Sequence, residues 1–458
     1  MGLIQIHRGD TVAVNTDTGF KVALCDIASG QDVIKYGYPI GHATRDIKKG
    51  EIVHVDNIKT NLKEKLTYEY NPSDVQTDCF NGGNILAYER EDGNIGIRND
   101  IWIINTVGCV NKVAEKLSSL TGAFCFTHPY GCSQLGDDHM VTEKILSGLV
   151  HHPNAGGVLV LGLGCENNNI KQFKKVLGEV SPDRVKFLEV QNCEDEIARG
   201  VELINELKRY ADSFTRKEVP VSRLKVGLKC GGSDGLSGIT ANPLVGQYTD
   251  RLVAAGGTAV LTEVPEMFGA ETILMNRCVS QDVFEKTVNM INRFKEYFTS
   301  HNQVIYENPS PGNKEGGIST LEDKSLGCIQ KGGMAPVVDV LDYGDYVKKC
   351  GLNLLNGPGN DMVAITNLVA TGCHLILFTT GRGTPLGAPV PTVKIATNSD
   401  IASRKSGWID FDAGPMINGE DLGDKFWDYV TEVVNGKETC NERNGYREIA
   451  IFKDGVTL

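Results

Sequence analysis

Thiols, imidazoles and carboxylates follow short apolar runs at several distant points of this chain. Cys132 ends the string His-Pro-Tyr-Gly-Cys, Cys165 follows Gly-Leu-Gly, and Cys230 begins Cys-Gly-Gly-Ser-Asp-Gly. A polar group that directly follows a strand and a glycine turn faces a cleft at the carboxyl end of the sheet rather than a core. Three such strand ends, far apart in the sequence, predict one composite polar site.

His128 and Cys132 form the sharpest candidate for a metal site. Neutral imidazole and thiolate suit a borderline or soft divalent ion such as Fe²⁺ or Zn²⁺. Cys165 and Glu166 add a second thiol and a carboxylate, and Asn167 begins a run of three amides suited to a polyhydroxylated ligand. The alternative is a turn histidine beside a buried thiol, with the asparagines forming an Asx-turn that opens a helix.

A glycine-rich turn and two cationic side chains extend this inventory. The run from Cys230 through Ser233 and Asp234 exposes successive backbone N–H groups, which favours an anion. It matches neither a P-loop nor G-x-G-x-x-G, so a nucleotide is not indicated. Arg382 stands between two glycines, where its fork can clamp a carboxylate. Lys314, in a stiff Pro-Gly turn, is either a partner or base for a carboxylate substrate or a solvated loop lysine. Other polar groups that follow predicted strands are Glu263, Glu266, Thr379 and Thr380.

The order of the predicted elements places these groups at strand ends. Short β-branched strands between glycine and aspartate turns indicate a small β-rich domain at 1–70, and turn-forming residues indicate a linker at 71–98. From residue 99 nearly continuous apolar strands alternate with helical stretches, as in parallel sheets covered on both faces. We therefore predict an α/β fold in which the small β-rich N-terminal domain is followed by two α/β portions with mostly parallel sheets, at 99–236 and 237–458. Dense Gly, Pro and Asn at 308–333 indicate an ordered loop over the site.

The bulk composition excludes several classes of protein. The 458 residues are 41% hydrophobic and 23% charged, as in ordinary globular proteins. A net charge of −12 disfavours nucleic acid or an anionic membrane as the main partner. We expect no signal peptide and no membrane span, because no apolar run approaches about 20 residues. The 13 cysteines, an odd number without a C-x-x-C pair, predict reduced thiols in a cytoplasmic protein.

Several long strings together resemble one enzyme family. They include His128-Pro-Tyr-Gly-Cys-Ser-Gln-Leu-Gly-Asp-Asp-His139, Cys230-Gly-Gly-Ser-Asp-Gly-Leu-Ser-Gly, Thr262-Glu-Val-Pro-Glu-Met-Phe-Gly-Ala-Glu271, Asn308-Pro-Ser-Pro-Gly-Asn-Lys and Thr379-Thr-Gly-Arg-Gly-Thr-Pro. On these strings the chain resembles the altronate/galactarate dehydratase family over essentially its whole length. The first domain, with Ile34-Lys-Tyr-Gly-Tyr-Pro-Ile-Gly-His and Val53-His-Val-Asp-Asn, is similar to that family's SAF domain.

This resemblance implies an activity and a cofactor. The family consists of hydro-lyases that remove water from a sugar acid and need a divalent metal ion, usually Fe²⁺, with Mn²⁺ as the alternative. The overall likeness, including the C-terminal Cys440-Asn-Glu-Arg-Asn, implies D-altronate as the substrate and 2-dehydro-3-deoxy-D-gluconate as the product, in hexuronate catabolism.

Combined with the strand-end groups, the resemblance gives an expected site. The residues expected to hold the metal are His128, Cys132, Cys165, Glu166 and His54. The residues expected to act in catalysis are His128, Glu166 and Lys314, and those expected to contact the sugar acid are Asn167, Ser233, Asp234, Thr380 and Arg382.

Other functions remain open at this point. Galactarate is the alternative substrate within the family. An iron–sulfur dehydratase would use Cys132, Cys165 and Cys230 as cluster ligands, and a sugar-acid-binding protein would use the same pocket without catalysis. A zinc hydrolase is disfavoured because H-E-x-x-H is missing. We expect a homodimer, since cytosolic enzymes of this size often associate with twofold symmetry.

Overall fold

Seven short strands build the N-terminal domain of the computed structural model, which describes residues 2–62, 67–73 and 79–457. They are β1 (Leu3–Ile4), β2 (Val12–Asn15), β3 (Lys21–Ala23), β4 (Asp32–Lys35), β5 (Tyr38–Ala43), β6 (Ile52–Val53) and β7 (Ile58–Lys59). The strands form two small antiparallel sheets, ordered β1-β2-β3-β6 and β4-β5-β7. A two-residue turn at Tyr36 and Gly37 joins β4 to β5 with φ values of 60° and 79°. Positive φ at both central residues is the turn geometry that matches the twist of a hairpin.

The middle of the chain alternates strands and helices around a parallel sheet. Its elements are β8 (Asn84–Glu89), β9 (Ile95–Gly96), β10 (Asp100–Asn105), α1 (Asn111–Thr121), β11 (Phe124–Phe126), α2 (Gly136–His151), β12 (Ala155–Gly162), α3 (Ile170–Leu177), β13 (Val185–Glu189) and α4 (Glu196–Ala211). The middle sheet has the order β11-β10-β12-β13 with every pair parallel. All eight residues of β12 are buried, because helices cover the sheet on both faces.

The rest of the chain builds a larger parallel sheet. Its elements are β14 (Arg216–Pro220), β15 (Lys225–Cys230), α5 (Ala241–Ala254), β16 (Thr258–Leu261), α6 (Glu271–Met275), α7 (Gln281–Ser300), α8 (Pro311–Glu315), α9 (Leu321–Cys328), β17 (Val337–Leu341), β18 (Gly351–Leu355), α10 (Asp361–Ala370), β19 (Leu375–Thr380), β20 (Thr392–Ala396), α11 (Ser399–Arg404), β21 (Phe411–Asp412), α12 (Gly423–Val434) and α13 (Cys440–Asn444). Seven of the strands form the large sheet, ordered β17-β18-β16-β15-β19-β20-β21 with every pair parallel. This architecture confirms the predicted fold class.

The segment expected to be a linker, 71–98, contains regular structure. β8 pairs with β14 and β9 in a three-stranded antiparallel sheet. Ile85 and Ala87 point into the core whereas Leu86 is exposed, which is the alternation of a half-buried strand. This alternation is short and lies among turn-forming residues, so the sequence did not indicate a strand here. Residues 63–66 of the expected first domain and 74–78 of the expected linker lie outside the described residues.

Helices join the two parallel sheets into one body. α2 packs on α10, and an apolar core that contains Trp102 of the middle sheet and Phe378 of the large sheet continues across them. At the start of the sheets, the ring of His152 contacts the Cys373 carbonyl at 3.0 Å and the Asn154 amide donates to the His374 carbonyl at 2.8 Å. Within the described ranges, no helix combines the length and apolar character needed to cross a membrane.

Candidate active site

Glu166 holds together the loops at the carboxyl edge of the middle sheet. Its buried carboxylate accepts hydrogen bonds from Thr106 Oγ1 at 2.7 Å, the Leu163 N–H at 3.0 Å and the Gly164 N–H at 2.6 Å. Thr106 follows β10, and the other donors follow β12. Since both carboxylate oxygens are used in this way, Glu166 organises the turn, as a buried acceptor bound to backbone N–H groups does.

His128 is also engaged by the backbone. Its Nε2 lies 2.8 Å from the Asn105 carbonyl oxygen, and its Nδ1 accepts a hydrogen bond from the Tyr130 N–H at 3.2 Å. A carbonyl only accepts, so the proton is on Nε2 and the ring is neutral. Burial lowers the pKa of His128, which agrees with this state. Both ring nitrogens are therefore engaged by backbone groups.

The remaining expected groups of the middle sheet lie on its surface. Cys132 and Cys165 are exposed, and Cys165 Sγ lies 3.5 Å from Gln191 Nε2. Asn167 Oδ1 accepts from the Ser133 N–H at 3.0 Å and so ties the loop after β11 to the loop after β12. The structure therefore gathers the expected residues of the middle sheet at one edge, as a set of loop-to-loop hydrogen bonds.

A second, deeply buried group of side chains occupies the carboxyl edge of the large sheet. Cys230 ends β15, Glu266 follows β16, and Cys328 ends α9. Glu266 Oε2 lies 3.0 Å from the Cys230 sulfur and 3.1 Å from the Cys328 sulfur, and the two sulfurs are 3.5 Å apart. Among the described residues, this is the one set of three or more His, Cys, Asp or Glu whose ligand atoms all lie within 4.8 Å of one another. The three cysteines of the iron–sulfur alternative are consequently not gathered.

Three buried lysines surround this group. Lys324 Nζ lies 2.8 Å from Glu266 Oε1. Lys229 contacts the Glu263 carboxylate and lies 2.8 Å from Asp361 Oδ1, and the third, Lys331, has its Nζ 3.9 Å from Glu263 Oε2. We call the three lysines, the acidic groups that they contact and the two thiols beside Glu266 the thiol–lysine cluster: Lys229, Cys230, Glu263, Glu266, Lys324, Cys328, Lys331 and Asp361.

The cluster holds its groups in unusual protonation states. The hydrogen bond from Cys328 lowers the pKa of Cys230 to about 6, and the same bond, together with burial, raises the pKa of Cys328 well above its ordinary value. Cys230 is therefore the more acidic thiol of the pair. Burial alone would raise the pKa of Glu266, but Lys324 and the other two lysines hold it well below its ordinary value. Glu266 is thus a carboxylate.

The segment 308–333, expected to be an ordered loop over the site, contains the helices α8 and α9 and lies at the edge of the large sheet. Ser310 and Asn313 form a capping box at the start of α8, and Asn313 Nδ2 donates to the Ser233 carbonyl at 2.8 Å. Lys324 Nζ bonds Asn308 Oδ1 at 3.0 Å and Asn313 Oδ1 at 3.2 Å. This segment therefore links the turn after β15 to the cluster.

The substrate residues expected near this turn divide into buried and accessible groups. Asp234 accepts four hydrogen bonds, from Leu236 N, Ser237 Oγ, Thr397 Oγ1 and Asn398 Nδ2. Burial raises its pKa despite these donors. Four acceptor sites are what a carboxylate has, so as placed Asp234 positions the loops.

The other three expected substrate residues differ in how accessible their polar groups are: Thr380, Ser233 and Arg382. Thr380 is buried, and its Oγ1 accepts from the Gly383 N–H at 2.8 Å. Ser233 borders a small cavity of about 10 Å³ that Lys324 and Cys328 also line. Arg382 is half-exposed, bonds the Gly312 carbonyl at 3.0 Å, and lines a cleft of about 1000 Å³ between the N-terminal domain and the large sheet.

The N-terminal domain docks on α9 through a buried ion triad. Asp323 Oδ2 lies 2.7 Å from Lys21 Nζ and its Oδ1 lies 2.8 Å from Lys35 Nζ. Burial lowers the pKa of Lys21 to about 8, against the attraction of Asp323. This docking brings together two residues that the sequence analysis assigned to the site. The ring of His54 lies against the backbone of Lys314.

His54 retains a free nitrogen at this interface. Its Nδ1 is buried with no hydrogen-bond partner, and its ring stands edge-on to Phe20 at 4.9 Å. Burial, followed by the charge of Lys21, lowers the pKa of His54. The imidazole is therefore neutral at pH 7. Among the described residues, no hydrogen bond or ion pair joins His54, Lys314 or Arg382 to the expected residues of the middle sheet.

Comparison with known proteins agrees with the three-part architecture. Models of the altronate/galactarate dehydratase SAF domain, the D-galactarate dehydratase/altronate hydrolase second domain and the D-galactarate/altronate dehydratase C-terminal domain match residues 3–61, 87–212 and 221–457. The chain belongs to the altronate/galactarate dehydratase family. Within this family, the altronate dehydratase of Escherichia coli strain K12 is 52% identical, with 100% of this chain and 97% of that protein aligned. The altronate dehydratase of Bacillus subtilis strain 168 is also 52% identical, over 99% and 95%, and the galactarate dehydratase (L-threo-forming) of E. coli K12 is 31% identical, over 95% and 89%.

Proposed function

We propose that the protein is a hydro-lyase that dehydrates D-altronate to 2-dehydro-3-deoxy-D-gluconate in hexuronate catabolism. The observation that carries this proposal is the 52% identity to two altronate dehydratases across nearly the full length of all three chains. The lower identity to a galactarate dehydratase, 31%, favours altronate over galactarate. The many ionisable groups at the edge of the large sheet support catalysis rather than binding alone.

The reaction needs a base and strong stabilisation of charge. The proton on C2 is weakly acidic because the neighbouring carboxylate is already negative, so the charge that develops when it leaves must be stabilised electrostatically. We include Fe²⁺, with Mn²⁺ as the alternative, in the proposal. When bound, such an ion acts as a Lewis acid on the oxygens of an α-hydroxy acid. Cys230, Glu266 and Cys328 fit a borderline divalent ion by donor type, whereas His128 and Glu166 are engaged by the backbone and the loops.

Side chains of the large cleft, of the small cavity and of the interface with the N-terminal domain can bind and deprotonate the substrate. Arg382, whose guanidinium lies 3.2 Å from the exposed Glu315 carboxylate, and Lys314 are partly accessible cations that can bind a carboxylate. Ser233 offers a hydroxyl at the small cavity. His54 is neutral and has an unpaired Nδ1. A neutral imidazole with a free nitrogen is a suitable general base near pH 7, so we assign removal of the C2 proton to His54.

A substrate panel tests this proposal. The protein is loaded with Fe²⁺ without oxygen, and release of 2-keto acid is measured from D-altronate and from galactarate. We expect D-altronate to give the higher kcat/KM. Faster turnover of galactarate would move the protein to the other branch of the family, and binding of both acids without keto-acid release would make it a sugar-acid-binding protein.

The assembly and location belong to the same proposal. We propose a homodimer, which light scattering of the purified protein tests directly; a monomer mass would refute it. We also propose a cytoplasmic location, supported by 13 cysteines that are all free. Fractionation of cells that express the full chain tests this location.

A further inference from the structure

We infer that Cys230, Glu266 and Cys328 form a binding site for one divalent transition-metal ion. The inference rests on the proposed function only for the use of the ion in dehydration, because binding of the ion is measured without any substrate. The site lies at the carboxyl edge of the large sheet and not at the edge of the middle sheet, where His128, Cys132 and Cys165 were expected to hold the metal.

The spacing of the three donor atoms is close to that of ligands sharing an ion. The distances between them are 3.0, 3.1 and 3.5 Å. Two ligands that each lie about 2.1–2.3 Å from one ion at a tetrahedral angle are about 3.5 Å apart. No large movement of the side chains is therefore needed to accommodate an ion.

The donors stand on elements that are fixed by the fold. Cys230 belongs to a central strand of the large sheet, and Cys328 ends α9, a helix whose eight residues are all buried. Glu263, which opens the turn carrying Glu266, has φ of 72°. A non-glycine residue in this left-handed region is strained, and such strain concentrates at functional sites. The strained turn directs two carboxylates back toward the sheet.

The chemistry of the donors selects a class of ion. Two thiolates and one carboxylate favour Fe²⁺, Co²⁺ or Zn²⁺ over Mg²⁺ or Ca²⁺, which prefer oxygen ligands only. The three donor residues are buried, so a hydrated ion would lose most of its water on entry. A cavity of about 10 Å³ borders Cys328 beside Ser233 and Lys324, which is room for about one water molecule or ligand oxygen.

A divalent ion would balance the formal charges of the thiol–lysine cluster when both of its thiols are ionised. With both thiols ionised the cluster carries five negative groups and three lysines. A dication cancels the remaining two negative charges. Burial of net charge is costly, so a dication suits this largely buried set of five acidic groups and three lysines.

Two other arrangements would explain the same distances. The sulfurs of Cys230 and Cys328, 3.5 Å apart, could be joined in a disulfide after oxidation, with two electrons passing to an oxidant such as peroxide. Alternatively the three side chains form hydrogen bonds only. Each arrangement gives a result that differs from metal binding.

The test uses the full chain, freed of metal by chelation and reloaded without oxygen with Fe²⁺ or with Co²⁺ as a spectroscopic probe. We expect one ion per chain, sulfur ligands about 2.3 Å from the metal in X-ray absorption, and near-ultraviolet sulfur-to-cobalt charge transfer. A ligand shell of nitrogen and oxygen alone would overturn the inference. So would a metal-free protein that shows only 11 of its 13 thiols on denaturation, since that result means a disulfide.

Matched variants locate the sulfur ligands. Cys328→Ser and Cys230→Ser should each weaken Co²⁺ binding at least tenfold, whereas Cys278→Ser, at another buried cysteine of the same part of the chain, should not. Loss of the ion in His128→Ala with full binding in Cys328→Ser would place the site at the middle sheet. The X-ray absorption result needs no variant and decides the question if the serine variants fail to fold. A sulfur-bound ion without dehydration of altronate refutes the proposed function alone, and dehydration without sulfur ligands refutes the metal site alone.

Discussion

The buried ion triad at Asp323 predicts how firmly the N-terminal domain is docked. The change is Asp323→Asn, which keeps the shape of the side chain and removes its charge. Lys21 and Lys35 then remain as two ammonium groups at the interface with no carboxylate between them. The side chains of Lys21 and Asp323 have no exposed surface, and that of Lys35 is 3% exposed.

The magnitude follows from the burial of both lysines. Removing one partner of a buried ion pair costs about 3–5 kcal/mol, because the other charge stays buried and unpaired. A lysine can avoid this cost by losing its proton. For an amine whose ordinary pKa is 10.5, that loss costs about 5 kcal/mol at pH 7. We therefore expect Asp323→Asn to lower the free energy of unfolding by about 3–5 kcal/mol.

Urea unfolding at pH 7 measures this loss, with Asp424→Asn as the matched control. Asp424 pairs with Arg251 at 2.7 Å, the same length as the Lys21–Asp323 pair, but the Asp424 side chain is 91% exposed. An exposed pair contributes about 1 kcal/mol or less. If the two variants unfold at the same urea concentration, the triad does not hold the domains together and the reasoning from burial is wrong.

Three further predictions concern pH, loop structure and substrate binding. Burial alone would raise the pKa of Asp323, but the two lysines hold it well below its ordinary value of 3.8. The stabilisation by the ionised carboxylate is therefore present above pH 3.8 and is lost as the pH falls through the folded-state pKa. The stability difference between wild type and Asp323→Asn should be constant from about pH 5 to 7 and shrink below about pH 4, and a difference that grows in acid would contradict this sign. Glu166→Gln should lower the free energy of unfolding by about 1–3 kcal/mol, since an amide cannot accept all three hydrogen bonds, and an unchanged urea midpoint would show that these bonds do not matter. Arg382→Gln should raise KM for D-altronate about tenfold to a hundredfold, because it removes a charge-assisted hydrogen bond that contributes about 1.5–3 kcal/mol. Arg293→Gln, at another exposed arginine, is the control. An unchanged KM would remove Arg382 from the substrate site.

The sequence was sufficient for the fold because its strands are unambiguous. β12 and most of β19 are continuous apolar runs between helical stretches, and a parallel sheet buried on both faces produces that pattern. The strand β8 was not predicted, since its few alternating residues lie among turn-forming residues. Short strands of this kind depend on their partner, here β14, which is more than 120 residues away.

The site was only partly predictable for a related physical reason. Cys230, Glu263 and Glu266 were identified as groups at strand ends, and all three are in the thiol–lysine cluster. Cys328 and Lys324 were missed because they lie on α9, which looks like polar surface in the sequence. The one available signal in the sequence was the spacing of the polar residues in the segment that forms α9, which is buried in the fold.

Hydrogen-bond partners explain why other chemically plausible residues have structural contacts. His128 and Glu166 have the side chains that metal sites use, but their partners are the Asn105 carbonyl and the backbone N–H groups of the turn after β12. Residue type shows what a side chain can bind. Only the three-dimensional structure shows whether another part of the chain has already bound it.

The central claim is that dehydration takes place at the carboxyl edge of the large sheet, and one comparison of turnover tests it directly. The same Cys→Ser change is made at Cys328 and at Cys132, and kcat for keto-acid release from D-altronate is measured with Fe²⁺-loaded protein. We predict a fall of at least a hundredfold for Cys328→Ser and less than about threefold for Cys132→Ser, whose thiol is exposed. The opposite order, with turnover lost at Cys132 and kept at Cys328, would place the reaction at the middle sheet and contradict the account.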